Sequence, residues 1–347
     1  MKYVQTVKGP IPEDQLGKTL MHEHCVATSA ATYLAVTDPD PKLQEFLNEP
    51  ITPENRSRIF YYAHKHRENA ENRDENLAIT ELKYFKEAGG STIVDVTTPG
   101  IGRDVRLLER VSDATGLNIV TSTGLYTEET HPEKYRRMSA KELTQLYLRE
   151  LREGVDDTGI KAGYIKVGMS DDWTDREVEC LKAAGRAAAE SGMSMTVHQP
   201  IFRTWGDRIV NILTAEGVEP DKIVLSHCDP TLYDCIYQTG LLERGVRLQF
   251  DEFQLEFPCT YGPYVKRWLP RDIERVRHIK KLCDLGFEDQ LTVSMDMGAF
   301  KMVYRTYGGP GYAYLIDHLY PYFLWEGITE EQMEKILVKN PQHILAR

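Results

Sequence analysis

No apolar run in this sequence approaches the roughly 20 residues needed to span a bilayer. Its opening stretch, MKYVQTVKGPIPEDQ, lacks the apolar core of a signal peptide. These absences predict a cytoplasmic chain with no membrane partner. Positive charge is also short, with 42 Lys and Arg against 53 Asp and Glu and a net charge of -11. Nucleic-acid binders carry basic stripes; none is present, which argues against a polyanionic partner. The six cysteines, at 25, 180, 228, 235, 259 and 283, form no CxxC pair. In a chain this long that spacing predicts reduced, mostly buried thiols. No GxGxxG opens a helix, which weighs against a dinucleotide fold. Repeats, low-complexity tracts and linkers are missing too, so residues 1–347 read as one domain.

Short apolar or β-branched runs, by contrast, recur. They are KTLMHEH (18–24), STIVDVTT (91–98), NIVTSTG (118–124), GYIKVG (163–168), SMTVHQ (194–199), KIVLSH (222–227), VRLQFDE (246–252) and LTVSMD (291–296). Near-continuous apolar strands alternating with helices indicate a parallel sheet covered on both faces. Amphipathic patterns at 103–116 and 174–192 begin near Asp or Thr and stop at Gly, and the pattern at 270–286 has Pro at its start. Eight such units in about 350 residues predict a closed (β/α)8 TIM barrel rather than an open doubly wound sheet. The irregular part is 27–76, between runs one and two, which ends in a charged helical pattern, NRSRIFYYAHKHRENAENRDENL (55–77). It is expected to be an insertion over the barrel mouth or at a subunit contact.

A barrel of this kind carries its site at the C-terminal ends of its strands. There the sequence places His22 and His24, Lys166, His198, His227 and Asp296. Imidazoles and carboxylates are donors that zinc, cobalt, manganese and iron accept. His22 and His24 are two apart on a strand, so they face one way. His64 and His66 share that spacing within a helical pattern, where residues two apart diverge, and a solvated helix surface is expected for them. A lone strand-end histidine is usually a hydrogen-bonded structural residue, and an Asp there is usually a turn or cap. Five such residues and an inward lysine in one barrel make a metal site the better reading. Lysine is a poor ligand as an ammonium, but burial near cations favours the neutral amine. That amine can add carbon dioxide and become a carbamate able to bridge two ions, which is the expectation for Lys166.

The stretches LGKTLMHEH, IVDVTTPGIGRDVRLLERVSDATGLNIVTSTGLY, AGYIKVG, VLSHCD and GGPGY resemble the amidohydrolase superfamily. Within it they are similar to the phosphotriesterase-related proteins and the phosphotriesterase-like lactonases. The resemblance implies that His22, His24 and Asp296 hold the more buried of two divalent ions, zinc foremost. His198 and His227 would hold the other, with the Lys166 carbamate bridging. It also implies a hydroxide shared by the ions that attacks a carbonyl or phosphoryl carbon or phosphorus. Asp296 would move its proton, and Tyr126 would lie beside it. Three departures stand out: Lys166 where the phosphotriesterase-related subgroup often has glutamate, Glu252 where lactonases have arginine and phosphotriesterases histidine, and Gln199-Pro200 after His198. Glu252 is expected to contact a substrate hydroxyl or cation. The resulting expectation is a metal-dependent hydrolase of small molecules, a lactonase first, with N-acyl amide or phosphotriester hydrolysis as the alternatives. A non-hydrolytic metal-binding barrel is a further alternative. Relatives are often homodimers, and RIFYYAHK would suit an interface helix.

Overall fold

The computed structural model describes residues 2–28, 40–201, 203–261, 264–298 and 300–347, and within these the side chains of 259–261 and 264–267 are not described. Part of the 27–76 segment and the Cys259 side chain therefore lie outside the described residues.

All eight expected runs form strands: β1 (Thr19–Glu23), β2 (Thr92–Asp95), β3 (Asn118–Thr123), β4 (Tyr164–Gly168), β5 (Met195–His198), β6 (Ile223–Ser226), β7 (Arg247–Phe250) and β8 (Leu291–Val293). They pair in parallel in chain order, so each strand neighbours the next. The first and last are joined by Asp296 N donating to His22 O at 3.2 Å and His24 N to Met297 O at 2.9 Å. Buried Glu23 fastens the same seam by accepting from Ser294 Oγ and from the Met295 and Met297 amides. The result is a TIM barrel.

Strand parity explains the two cores. Ile93, Ile119, Ile165, Val167, Ile223 and Leu225 pack outward against the helices. Val94, Val120, Tyr164 and Val224 alternate with them and fill the barrel interior, plugged from below by Val4, Leu16 and Ile344. Helices α1 (Glu75–Glu87), α2 (Val105–Thr115), α3 (Ala140–Arg152), α4 (Asp175–Ser191), α5 (Gly206–Ala215), α6 (Cys235–Glu243) and α7 (Asp272–Asp284) cover the outside. The expected start of α2 is capped by Asp104, and Thr174 and Glu177 form a capping box on α4, which stops at Gly192. Among the described residues no helix is long and apolar enough to cross a membrane.

The helical pattern at 55–77 is not one helix. One turn forms at Arg56–Ile59, followed by Phe60–Tyr62, and the chain then breaks up until α1. The cause is competition for backbone groups: Asn69 Nδ2 takes the Ala63 carbonyl at 2.8 Å, and the Arg67 amide that would have used it donates to Leu47 O. His64 and His66, expected on a solvated surface, are buried. Cys25, Cys180, Cys228 and Cys283 are buried free thiols and Cys235 is partly exposed.

Candidate metal centre

Parity alone aims three of the expected ligands inward. Lys166 alternates with outward Ile165 and Val167, His198 follows outward Val197, and Asp296 lies three past outward Val293. His22 needs a correction to the pleat. Met21 already faces inward, and a register shift between Leu20 and Glu23 lets His22 do so as well. His227 follows inward Ser226, so regular strand geometry would turn it out. A left-handed backbone, φ 55°, brings it back, and Asp296 has φ 50°. Such conformations in non-glycine residues cost about 1–3 kcal/mol and cluster at functional sites.

The side chains then converge. Lys166 Nζ lies 2.8 Å from His22 Nε2, and Asp296 Oδ1 lies 3.2 Å from His24 Nε2 and 3.8 Å from His22 Nε2. The rings of His22 and His227 are 4.8 Å apart and those of His198 and His227 4.4 Å. Donor atoms of His22, His24 and Asp296 lie within 4.8 Å of one another, close enough to share an ion. The far nitrogens support that role. His24 Nδ1 meets Thr97 Oγ1 at 2.8 Å, while His22 Nδ1 and His227 Nδ1 each lie 2.9 Å from one oxygen of Asp251. With Nδ1 held by oxygen, Nε2 is the free donor, the arrangement expected of imidazole ligands. The donor set fits two divalent ions.

Asp251 was not among the expected residues. It is buried, its Oδ1 also accepts the His227 amide at 2.9 Å, and its own amide donates to Asp229, which pairs with buried Arg275 at 2.7 Å. His22, His227 and Asp251 also lie within ion-sharing distance, but both Asp251 oxygens already face imidazole nitrogens at hydrogen-bond spacing. Asp251 is the orienting group. Its signal was in the sequence, since FDE ends run seven in carboxylates as runs one, six and eight end in His or Asp.

Electrostatics follow burial. Lys166 is 1% exposed, and desolvation lowers its amine to about 8, despite Asp296 and Asp251. Burial, then the Lys166 charge, pushes His22 down to about 3, and burial with His227 drives His198 well below its usual range. For His227 burial opposes the charge, yet Asp251 outweighs it and lifts the imidazole to about 9. A metal bound at its Nε2 would therefore displace a proton. Burial raises Asp296, but His24 and the neighbouring imidazoles more than reverse this and hold it well below the carboxylate range.

Tyr126 stands beside the centre, its hydroxyl 3.3 Å from the His198 ring nitrogens and the two rings 4.9 Å apart. Gly168 makes this approach possible, because a Cβ there would lie 2.5 Å from Tyr126 Cδ2. Glu252 is buried rather than solvent-facing. Its Oε2 has no hydrogen-bond partner, and burial raises its carboxyl to about 8. His64 is buried with its ring edge-on to Phe257 and to Phe300, and burial lowers it to about 4.

Gly124 supports the lysine strand. It has φ 123°, and a Cβ would come within 1.9 Å of Lys166 O. Gly124→Ala is expected to cost at least ~2 kcal/mol of unfolding free energy in urea titrations and to lower metal content. Equal stability of variant and parent would show that β4 can move aside.

The family model described as "Phosphotriesterase family" matches residues 2–345. The N-acetyltaurine hydrolase of Homo sapiens is 35% identical over 346 residues, covering 99% of this chain and 97% of that protein. A resiniferatoxin-binding protein from Rhodobacter sphaeroides, known as a crystal structure, is 34% identical with a TM-score of 0.95, covering 99% of this chain and 94% of that one. A lactonase from Listeria monocytogenes is 24% identical with a TM-score of 0.78, covering 99% and 98%, and shows the shared fold.

Proposed function

We propose that this chain, which belongs to the phosphotriesterase family and is a hydrolase, cleaves small N-acyl amides at a binuclear metal centre. The convergence of four imidazoles, Lys166 and Asp296 on one point carries the hydrolytic reading. The order of substrates rests on the relatives. A hydrolase named for an acyl amide matches at 35% across nearly the whole chain. The lactonase match, at 24%, speaks only to fold. Lactones, placed first on sequence motifs, become the second class.

His22, His24 and Asp296 would hold one ion, His198 and His227 the other, and Lys166 as its carbamate would join them. Zinc suits these donors, and cobalt, manganese and iron are accepted too. When bound, two such ions polarise the substrate carbonyl and make a water acidic enough to ionise near neutral pH. Asp296 takes a proton from the attacking water and returns it to the leaving nitrogen. The acyl carbon gains the water oxygen, the C–N bond breaks, and the amine departs carrying that proton. Tyr126 would donate a hydrogen bond to the substrate carbonyl oxygen, keeping its proton. Glu252, with one oxygen unpaired, offers a contact to a substrate hydroxyl or cation.

The test is a panel of N-acyl amides (N-acetyltaurine included), lactones and paraoxon-like triesters with the metal-loaded protein. The kcat/KM for the best acyl amide is expected to exceed that for any lactone by at least ~10-fold, about 1.4 kcal/mol in barrier. Lactone opening without amide cleavage would reverse the order, and inertness toward all three classes would remove the reading.

A further inference from the structure

A cavity of about 510 Å³ lies where three segments meet: the one between β1 and α1, the loop after β7 and the loop after β8. We propose that it is a second small-molecule site, apart from the metal centre, for an amino acid with an apolar side chain and both its amine and its carboxylate free. None of the proposed metal ligands lines the cavity, nor do Tyr126 and Glu252. Its volume falls within the roughly 300–1,000 Å³ usual for small-molecule sites.

One wall is apolar, built by Phe60, Tyr61, Met302 and Val303. Phe60 is braced edge-on by Phe257 at 6.0 Å and 84°, and Tyr61 by Trp268 at 6.2 Å and 84°. The rings are therefore held in place, yet Tyr61 keeps 53% of its surface exposed. An apolar side chain laid on this wall would remove that area from water.

Opposite charges face the same cavity without meeting. Arg56 donates from Nε and from Nη2 to Met302 O, at 3.2 and 3.1 Å. One carbonyl thus fixes the guanidinium and leaves Nη1 over, and among the described residues no carboxylate pairs with it. Glu256 is fixed in a similar way. Its Oε1 accepts the Asp272 amide at 2.7 Å, and its Oε2 has no partner among the described residues. No ion pair joins Arg56 and Glu256. Asp272 also lines the cavity, but its carboxylate is spent. It holds Arg275 Nη1 at 2.7 Å and the Tyr314 hydroxyl at 2.8 Å, and the Gln254 amide donates to both its oxygens. Glu256 is left to take an ammonium, and Arg56 to take a carboxylate. A ligand charged at one end would leave one of them unanswered, whereas a zwitterion answers both. Because both groups are held before a ligand arrives, less ordering is lost on binding.

Calorimetry on the metal-loaded protein tests the site with three probes: L-phenylalanine, phenethylamine, which lacks the acid, and 3-phenylpropionate, which lacks the amine. Phenylalanine is expected to bind the parent at least ~10-fold more tightly than either single-charged probe. Arg56→Gln should weaken phenylalanine and phenylpropionate at least ~5-fold and leave phenethylamine within ~2-fold. Glu256→Gln should weaken phenylalanine and phenethylamine and spare phenylpropionate. Metal content and urea midpoints are read on the same samples. If Arg56→Gln fails to fold, Arg56→Lys, the Glu256→Gln protein and the ranking of probes on the parent carry the test. No binding of phenylalanine up to ~20 mM would overturn the proposal. So would binding that neither substitution changes, which would place the amino acid on the metal ions, or a single-charged probe that binds the parent as tightly as phenylalanine. Amide cleavage enters none of these readings, so failure of the amide proposal leaves them standing.

Discussion

A protein carrying Lys166→Ala is expected to lose both metal ions and at least ~10³-fold in kcat/KM together, about 4 kcal/mol of barrier. The amine sits 2.8 Å from His22 Nε2 and is 1% exposed, so no solvent-borne group replaces it without help. Truncation opens space at the point where the imidazoles converge. Acetate or propionate fits that space and supplies two oxygens, as the carbamate would. Added at millimolar levels, either should restore part of the metal and part of the activity. The pH dependence of loading has a definite sign. Burial lowers the amine from its usual range to about 8, so the neutral, carbon dioxide-accepting form is scarce at pH 7 and dominant at pH 9. At fixed dissolved carbon dioxide, reconstitution of metal-free protein should therefore quicken about tenfold between those values. A Lys166→Ala protein with two ions and ordinary activity would remove the bridging role.

Asp251→Asn should have the next largest effect. The carboxylate holds Nδ1 of a ligand from each half of the centre, His22 and His227, and receives the His227 amide. An amide is nearly isosteric, but it has one acceptor oxygen in place of two. One imidazole must then lose its acceptor or face an N–H. A 10- to 100-fold loss of metal affinity is expected, typical of removing the partner of a ligating histidine, with activity falling alongside. His227 also loses the charge that lifts it to about 9, so metal uptake should release fewer protons. Competition with a chelator of known affinity and titration of released protons measure both effects. Affinity within a factor of two of the parent would show that ring packing alone fixes the imidazoles.

The barrel was legible because strands buried on both faces read as near-continuous apolar runs, and all eight were found where the runs lie. The expected ligands were legible for a related reason: all but Lys166 stand at or near the end of a run, and barrel geometry gathers run ends on one rim. What the pattern did not contain was local backbone. The register shift that turns His22 and the positive φ of His227 and Asp296 leave no periodic trace. Asp251 was overshadowed by its neighbour Glu252, although its strand parity points inward and its partners are the ligands themselves. His64 was misplaced because the facing argument presumed a helix. Arg67 bonding to Leu47 and Asn69 capping Ala63 undo that helix, and both partners are tertiary choices that a helical period does not carry.

The central claim is that Lys166 is carboxylated and joins two ions. It is tested most directly by a high-resolution crystal structure of the protein grown with zinc and bicarbonate. The account predicts planar density for three further atoms beyond Lys166 Nζ, lying between two ions. His22, His24 and Asp296 should surround one ion, and His198 and His227 the other. A bare amine at Lys166 beside a single ion would contradict it.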